Sequence, residues 1–403
     1  IRDSVASRGL GDVYKRQTQR NVAFMRELTF TCRELDMVLM CDYVFGMPML
    51  GWARHSPLMM QRLSEPPRAE RPTPAQVVEE NAVALQRAKP SRDSLADAMS
   101  WEKTKAEFAK QTMVGPLYSL QSLPFDRGVS VRLLNRLGLL ETHGGAEEDS
   151  VRNIDDGKGR GHNADSANTA THRPADLDAV GALSRRVAEQ FPDKELAGFP
   201  SDFSGAYSQC TADPRQASDF VVTSWDPELA CPVFFLAVTQ LFGSGNAPLN
   251  VTRIPDFCCR VLASLFAIAA IHCVDDVIVI EATDVVQSGF TCWRSLARLC
   301  GWDVPDKKSP PPAQLFRALG AMIDFTSFPR GPIRILPASD RIASLVQVLE
   351  GILESERLSP GQAGKLFGKL NFLASQYFGR LGRALLRAYS RRQHELMRYS
   401  LNP

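Results

Sequence analysis

The chain has no Cys-x-x-Cys pair. Its nine cysteines are odd in number and scattered through 403 residues, which indicates neither a disulfide framework nor a zinc site. Such usage suits a reducing, intracellular setting. No apolar run approaches the length of a membrane span, and the opening IRDSVASRGLGDVYKRQ is not a secretory signal, so no membrane partner is expected. That opening, Ile1 to Gln17, reads as a non-native, adapter-like leader set apart from the fold, and the natural protein is expected to extend beyond this fragment. Net charge is also nearly absent: 47 Lys and Arg against 45 Asp and Glu leave +2. Charge as a whole therefore names no partner. What is missing locally says more. Between Gly361 and Ser400 eight Lys or Arg face a single acid, Glu395, the imbalance of a polyanion-binding surface.

A hydrophobic fraction of 44% over this length allows a full core and two or three subdomains. The most informative stretch is Ala267 to Glu281, AIAAIHCVDDVIVIE. Two apolar runs rich in β-branched residues flank Asp275 and Asp276, the pattern of a buried hairpin with carboxylates at its tip. Adjacent carboxylates losing hydration repel one another and need cations or protons. Mg²⁺, with its preference for oxygen ligands, is the obvious cation; an exposed Asp-Asp turn is the plain alternative.

Along the chain, residues 18–63 carry helical patches with several Met residues of core-filling type, broken at Gly46-Met47-Pro48. Ser64 to Pro74 reads as a linker, and Ala75 to Lys110 as a solvated helical scaffold ending before Gly115-Pro116. In VRNIDDGKGRGHN a short strand from Arg152 to Asp155 opens into a Gly-rich loop with Lys158 and Arg160. This suits phosphate oxygens, or else is a basic surface turn. Thr171, His172 and Arg173 form a further loop, and Asp176 or Asp178 starts a helix to Gln190 with Val180, Leu183 and Val187 facing a core. In LAGFPSDFSGAYSQ, Asp202 closes a strand, or caps a helix, five residues before Tyr207. Asp219 to Trp225 and Val233 to Leu241 read as strands. LFGSGNAPLN supplies a Gly243-Ser244-Gly245 turn, suited to close approach of a nucleotide or to a tight connection, ahead of a helix from Leu249 to Leu265. Val285 to Cys300 reads as a helix with Trp293, Leu296 and Leu299 on one side, and Leu315 to Phe325 as a strand or hairpin. Asp340 is expected to cap a helix whose apolar face holds Ile342, Leu345, Val346, Leu349, Ile352 and Leu353. Ser359-Pro360 starts another helical region. There Lys365 and Lys369 lie four apart, and Arg380, Arg383, Arg387 and Arg391 share one face. Interleaved aromatics and the scarcity of acids favour contact with a nucleic-acid backbone.

Taken together, these motifs resemble the reverse transcriptase family. DFSGAYSQ is similar to its first palm motif, LFGSGNAP to its second, CVDD (Cys273 to Asp276) to its Y-x-D-D box, and PDKK (Pro305 to Lys308) to its retroviral fourth motif. LFRALG (Leu315 to Gly320) resembles the primer grip and RNIDDGK (Arg152 to Lys158) the fingers motif. The resemblance covers Thr104 to Arg392, and GKLNFLASQYFGRLGRALLR is closest to retrotransposons of the DIRS type, whose mobility uses a tyrosine recombinase. It implies an α+β right-hand polymerase: an N-terminal helical and linker region at 18–103, fingers at 104–195, a palm of antiparallel sheet with packed helices at 196–335, and a helical thumb at 336–403. It also implies RNA-directed DNA synthesis on an RNA or DNA template-primer from deoxynucleoside triphosphates. Asp202, Asp275 and Asp276 would be the catalytic carboxylates and ligands of two Mg²⁺ ions, with Lys308 as general acid. Tyr207 would exclude a 2′-hydroxyl, Arg152 and Lys158 would hold the triphosphate, and Gly243 and Ser244 would line the substrate. Lys365, Lys369, Arg380, Arg383, Arg387 and Arg391 would hold the nucleic acid.

Cys273 departs from the family, which has an aromatic there. A decayed or domesticated nucleic-acid-binding protein is therefore the second reading. A third, an unrelated Mg²⁺ phosphotransferase, explains the Asp pair but not the basic helix. No protease, integrase, recombinase or ribonuclease H signature is visible.

Overall fold

β-branched residues at Val277, Ile278, Val279 and Ile280 fit a strand packed on both faces, and all four are fully buried. In the computed structural model, which describes residues 20–395 apart from 34–35, 55–59, 62–65, 69, 92, 127–128, 142–149, 172–173 and 377, they belong to the Asp276–Ala282 strand. The leader Ile1 to Gln17 and the loop residues His172 and Arg173 lie outside the described residues. The class is α+β, with antiparallel strand pairs dominating. The chain forms two compact units, each assembled from separated segments: Ile1–Arg173, Phe203–Leu265 and Trp293–Pro305 make the first, and Pro174–Asp202, Phe266–Cys292 and Asp306–Pro403 the second.

In the first unit a five-stranded sheet runs in the order Met113–Leu117, Cys231–Ala237, Val221–Asp226, Leu133–Glu141 and Ser150–Asp155. Its apolar residues divide by parity, as a pleat requires. Leu134, Val222, Val233, Phe235 and Ala237 enter one core with Met49, Trp101 and Leu241. Leu133, Val221, Phe234 and Leu236 enter another with Ala84 and Leu123. Ala75 to Lys110 is two helices, Pro74–Arg87 and Ser94–Ala109, and it is not mere solvated scaffold. Trp101 is 5% exposed, and Val77 and Ala84 are buried too, because each helix turns a narrow apolar stripe inward despite its polar composition. The methionines at 25, 47 and 49 fill the core as expected.

In the second unit the Ala270–Cys273, Asp276–Ala282 and Leu196–Asp202 strands form an antiparallel sheet in that order. A second antiparallel sheet joins Leu315–Ala318, Ala321–Asp324 and Arg334–Pro337, so Leu315 to Phe325 is indeed a hairpin. The Leu177–Gln190 helix, N-capped by Asp176, packs Leu177, Val180 and Val187 with Ile278, Ile280, Phe316 and Ile323 in one core. Gly198 permits this close approach: a Cβ there would lie 2.6 Å from the Val279 carbonyl and 2.7 Å from the Phe316 ring.

Three expectations from periodicity need correction. Leu299 is 48% exposed, while Trp293, Leu296, Ala297 and Cys300 are buried. That stripe follows the i, i+3, i+4, i+7 spacing, and Leu299 falls outside it. The helix near Asp340 spans Ser339–Ser355 with Ala338 at the N-cap and no side-chain cap, and Asp340 sits in its first turn. Of its apolar residues only Leu345 is buried; Ile342, Val346 and Leu353 are exposed. The arginine series does not lie on one continuous α-helix either. Phe378–Leu386 is a 3₁₀ helix and only Arg387–Arg392 is α-helical, so the angular step between residues changes midway.

Candidate active site

The hairpin register pairs Cys273 with Asp276 and leaves Val274 and Asp275 as a two-residue turn. Val274 has φ 56°, a left-handed conformation usually given to Gly or Asn in such turns. For a β-branched residue this strain is on the order of 1–3 kcal/mol. Asp276 opens its strand directly opposite Asp202, the last residue of Leu196–Asp202. Two carboxylates thus face each other across adjacent strands, with the third on the turn beside them.

Their electrostatics follow from that crowding. Burial pushes the Asp276 carboxyl up to about 6, with the charges of Asp202 and Asp275 acting in the same direction. Asp275 is also raised, first by burial and then by Asp202, while Lys308 opposes the shift. The Lys308 ammonium, from the Asp306–Lys308 3₁₀ turn, donates to Oδ2 of Asp202. Oδ1 of Asp202 is buried without a hydrogen-bond partner. Cys273 is half-buried, and burial with the neighbouring acids pushes its thiol up to about 11, so it stays neutral at pH 7. The oxygen-only donor set and the orphaned Asp202 oxygen fit a hard cation such as Mg²⁺. Among the described residues no three His, Cys, Asp or Glu side chains are gathered as an ion cage; Lys308 supplies compensating charge to Asp202.

The first unit gathers another group of the predicted residues. Tyr207, in the Ala206–Gln209 3₁₀ turn, meets Phe242 edge-on with ring centroids 5.4 Å apart. The Arg152 guanidinium lies 5.5 Å from the Phe242 ring centroid and also pairs with Glu141. Lys158 is exposed on the turn after Asp155. Ser244 is buried; its amide bonds the Leu241 carbonyl and its carbonyl receives the Ala247 amide, so it shapes the entry to the Ala247–Phe266 helix. Two loops expected to serve the substrate are stitched together. Asn163 donates to the Gly243 carbonyl at 3.0 Å and accepts from the Gly245 amide at 2.8 Å. Asp155 receives both arms of Arg136, and its amide bonds the Phe242 carbonyl.

Gly243 has φ 124°, and a Cβ on it would lie 2.0 Å from the Asp155 carbonyl oxygen. Gly243→Ala is therefore expected to cost about 3 kcal/mol of stability. Urea unfolding checks this; an unchanged midpoint would rule the clash out.

In the second unit Lys365 and Lys369 are exposed on the Pro360–Ser375 helix, and Arg383, Arg387 and Arg391 are exposed beyond it. The side chain of Arg380 lies outside the described residues. Sequence reasoning missed Phe242, Asn163, Arg136 and the buried hydroxyls Ser201 and Ser309. Phe242 had a signal, an aromatic directly before the glycine turn, whereas Asn163 and Arg136 act through contacts that no local pattern reveals.

Comparison with known proteins gives no matching family model and no matching curated protein. Among solved structures the chain is similar to foamy viral protease-reverse transcriptases. One, the dRH form with double-stranded DNA, is 12% identical over 87% of this chain and 52% of that one, with a TM-score of 0.47. Another with double-stranded DNA is 13% identical over 80% and 55%, with a TM-score of 0.46. A third, with an RNA/DNA hybrid, is 13% identical over 85% and 37%, with a TM-score of 0.49. The chain thus spans about half or less of the length of these proteins.

Proposed function

We propose that this chain is the polymerase portion of a retroelement reverse transcriptase, of DIRS-like type, that extends a primer on an RNA or DNA template. The observation carrying this reading is the pairing of Asp202 with Asp276 across adjacent strands, with Asp275 on the strained turn and Lys308 on Asp202. Crowded carboxylates with raised proton affinity are what a site for multivalent cations and phosphates needs. Asp202, Asp275 and Asp276 would hold two Mg²⁺ ions, which when bound polarise the primer 3′-hydroxyl and neutralise the phosphates. Arg152 and Lys158 would bind the triphosphate, and Tyr207, braced by Phe242, would pack under the sugar and exclude a 2′-hydroxyl. The primer 3′-hydroxyl would lose its proton to solvent as its oxygen bonds to the α-phosphorus and the bond to the bridging oxygen breaks, and Lys308 would give its proton to the departing pyrophosphate and regain one from solvent. Lys365, Lys369, Arg383, Arg387 and Arg391 would track the duplex backbone, together with Arg380.

The test is direct. The purified chain, given a DNA primer on an RNA template, the four deoxynucleoside triphosphates and Mg²⁺, is expected to extend the primer. Failure to extend overturns the reading. A second reading is favoured by Cys273, whose small neutral thiol replaces a ring beneath the primer end: a chain that retains template-primer in a salt-dependent way but synthesises nothing.

A further inference from the structure

Ser201 and Ser309 are the chain neighbours of Asp202 and Lys308, and their hydroxyl oxygens lie 2.6 Å apart. Both residues are buried, at 1% and 4% exposure. Ser201 is the penultimate residue of its strand and points to the face opposite Asp202, as alternation along a strand demands. Ser309 closes the 306–308 turn through its own amide, which bonds the Asp306 carbonyl at 3.0 Å. The hydroxyl pair therefore ties the base of the Lys308 side chain to the strand end that carries Asp202. A long, flexible ammonium stem gains a fixed origin.

We propose that Ser201 and Ser309 are positioning residues that hold Lys308 where it delivers its proton; this rests on the polymerase reading above. The energetics favour a role in placement over one in stability. Two buried hydroxyls bonded to each other gain little over two methyl groups of similar shape, because each gave up water to be there. What the pair adds is direction and distance. Misplacement of a reacting group by about 1 Å costs on the order of a hundredfold in rate, so a tether behind Lys308 acts on turnover more than on folding.

The experiment is a mutant cycle in the full chain. The variant S201A/S309A removes both hydroxyls together, so neither is left facing the loss of the other, and its thermal midpoint is expected to stay close to that of the wild type. Its single-nucleotide turnover is expected to fall about tenfold or more, with KM for the nucleotide unchanged. In a Lys308→Ala background the same pair of substitutions is expected to cost nothing further, because the group being placed is already gone. An equal loss in both backgrounds, or no loss in either, overturns the positioning role while Mg²⁺-dependent extension by the wild type leaves the polymerase reading intact. Absence of extension by the wild type overturns both. Ser309→Thr, which keeps a hydroxyl, is expected to recover turnover; a Thr variant as slow as the Ala variant also counts against the proposal.

Discussion

Asp275→Asn is expected to lower primer extension by about a thousandfold or more while making the metal-free protein more stable above pH 6. The kinetic loss follows from removing one carboxylate from a site whose charge must gather cations around a reacting phosphate, a contribution of several kcal/mol at about 1.4 kcal/mol per tenfold. The gain in stability comes from the same charge. An unfolded aspartate ionises near 3.9, whereas Asp276 beside Asp202 and Asp275 does so at about 6, and Asp275 is raised as well. Between those values the native chain binds more protons than the unfolded chain, so this contribution to stability is present at low pH and lost as pH rises through the native value. A shift of two units corresponds to about 3 kcal/mol, and partial solvation of the tip reduces the expected effect to about 1–2 kcal/mol. The variant removes one of the three interacting charges and flattens the decline. Urea unfolding in chelator at pH 5 and pH 8 measures the difference. Mg²⁺ is expected to restore the wild type at pH 8 far more than the variant. A variant that extends primers normally sinks the catalytic assignment, and one with unchanged pH dependence sinks the electrostatic account.

The hairpin was legible because β-branched runs on both sides of an acidic pair leave little else for the backbone to do. Its register was not. Alternation sets which side chains share a face, but the meeting of Asp276 with Asp202 depends on a strand far upstream in the chain. Periodicity misled where it met solvent: Ile342, Val346 and Leu353 form a regular apolar series yet stand exposed, since spacing shows which residues align and not whether anything covers them. The arginines from 380 to 391 were read with one helical step, and the 3₁₀ segment changes that step. Tyr207, Arg152 and Gly243 carry motif signals, whereas Phe242, which joins the first two, shows in the sequence only as the aromatic before the glycine turn. Ser201 and Ser309 flank named residues, and nothing in their identity distinguishes a buried tether from a surface hydroxyl. Arg253, bonded to Asp36 and Asp42, leaves no local signal either, since its partners are remote in sequence.

Replacing Arg253 by Met is expected to destabilise the first unit by about 3–5 kcal/mol, the usual cost of removing one member of a buried ion group. Arg253 is 1% exposed. It donates to Asp36 through Nε at 2.7 Å and Nη2 at 2.8 Å, and to Asp42 through Nη1 at 2.6 Å. Asp42 also accepts from Arg54 at 2.7 Å, and its carboxyl is nonetheless raised, burial outweighing the two cations. Without the guanidinium both acids lose a close compensating charge, and Asp42, already raised by burial, takes up a proton more readily. The deficit of the variant is accordingly expected to be smaller at pH 5 than at pH 8, because protonation there relieves a repulsion that the unfolded chain never feels. Adding Asp36→Asn and Asp42→Asn to Arg253→Met is expected to recover much of the loss, since neutral polar groups cost less to bury than unpaired charges. Urea unfolding of the three proteins decides: a loss below about 1 kcal/mol in Arg253→Met, or no recovery in the neutralised variant, would show that the network is not what holds the helix. The consequence reaches the substrate residues through the chain itself. The Ala247–Phe266 helix begins four residues after Gly243, so an anchor that fixes Arg253 also fixes where Phe242 and Gly243 can stand. Arg253→Met is therefore expected to raise KM for the nucleotide, while Asp275→Asn acts on turnover alone.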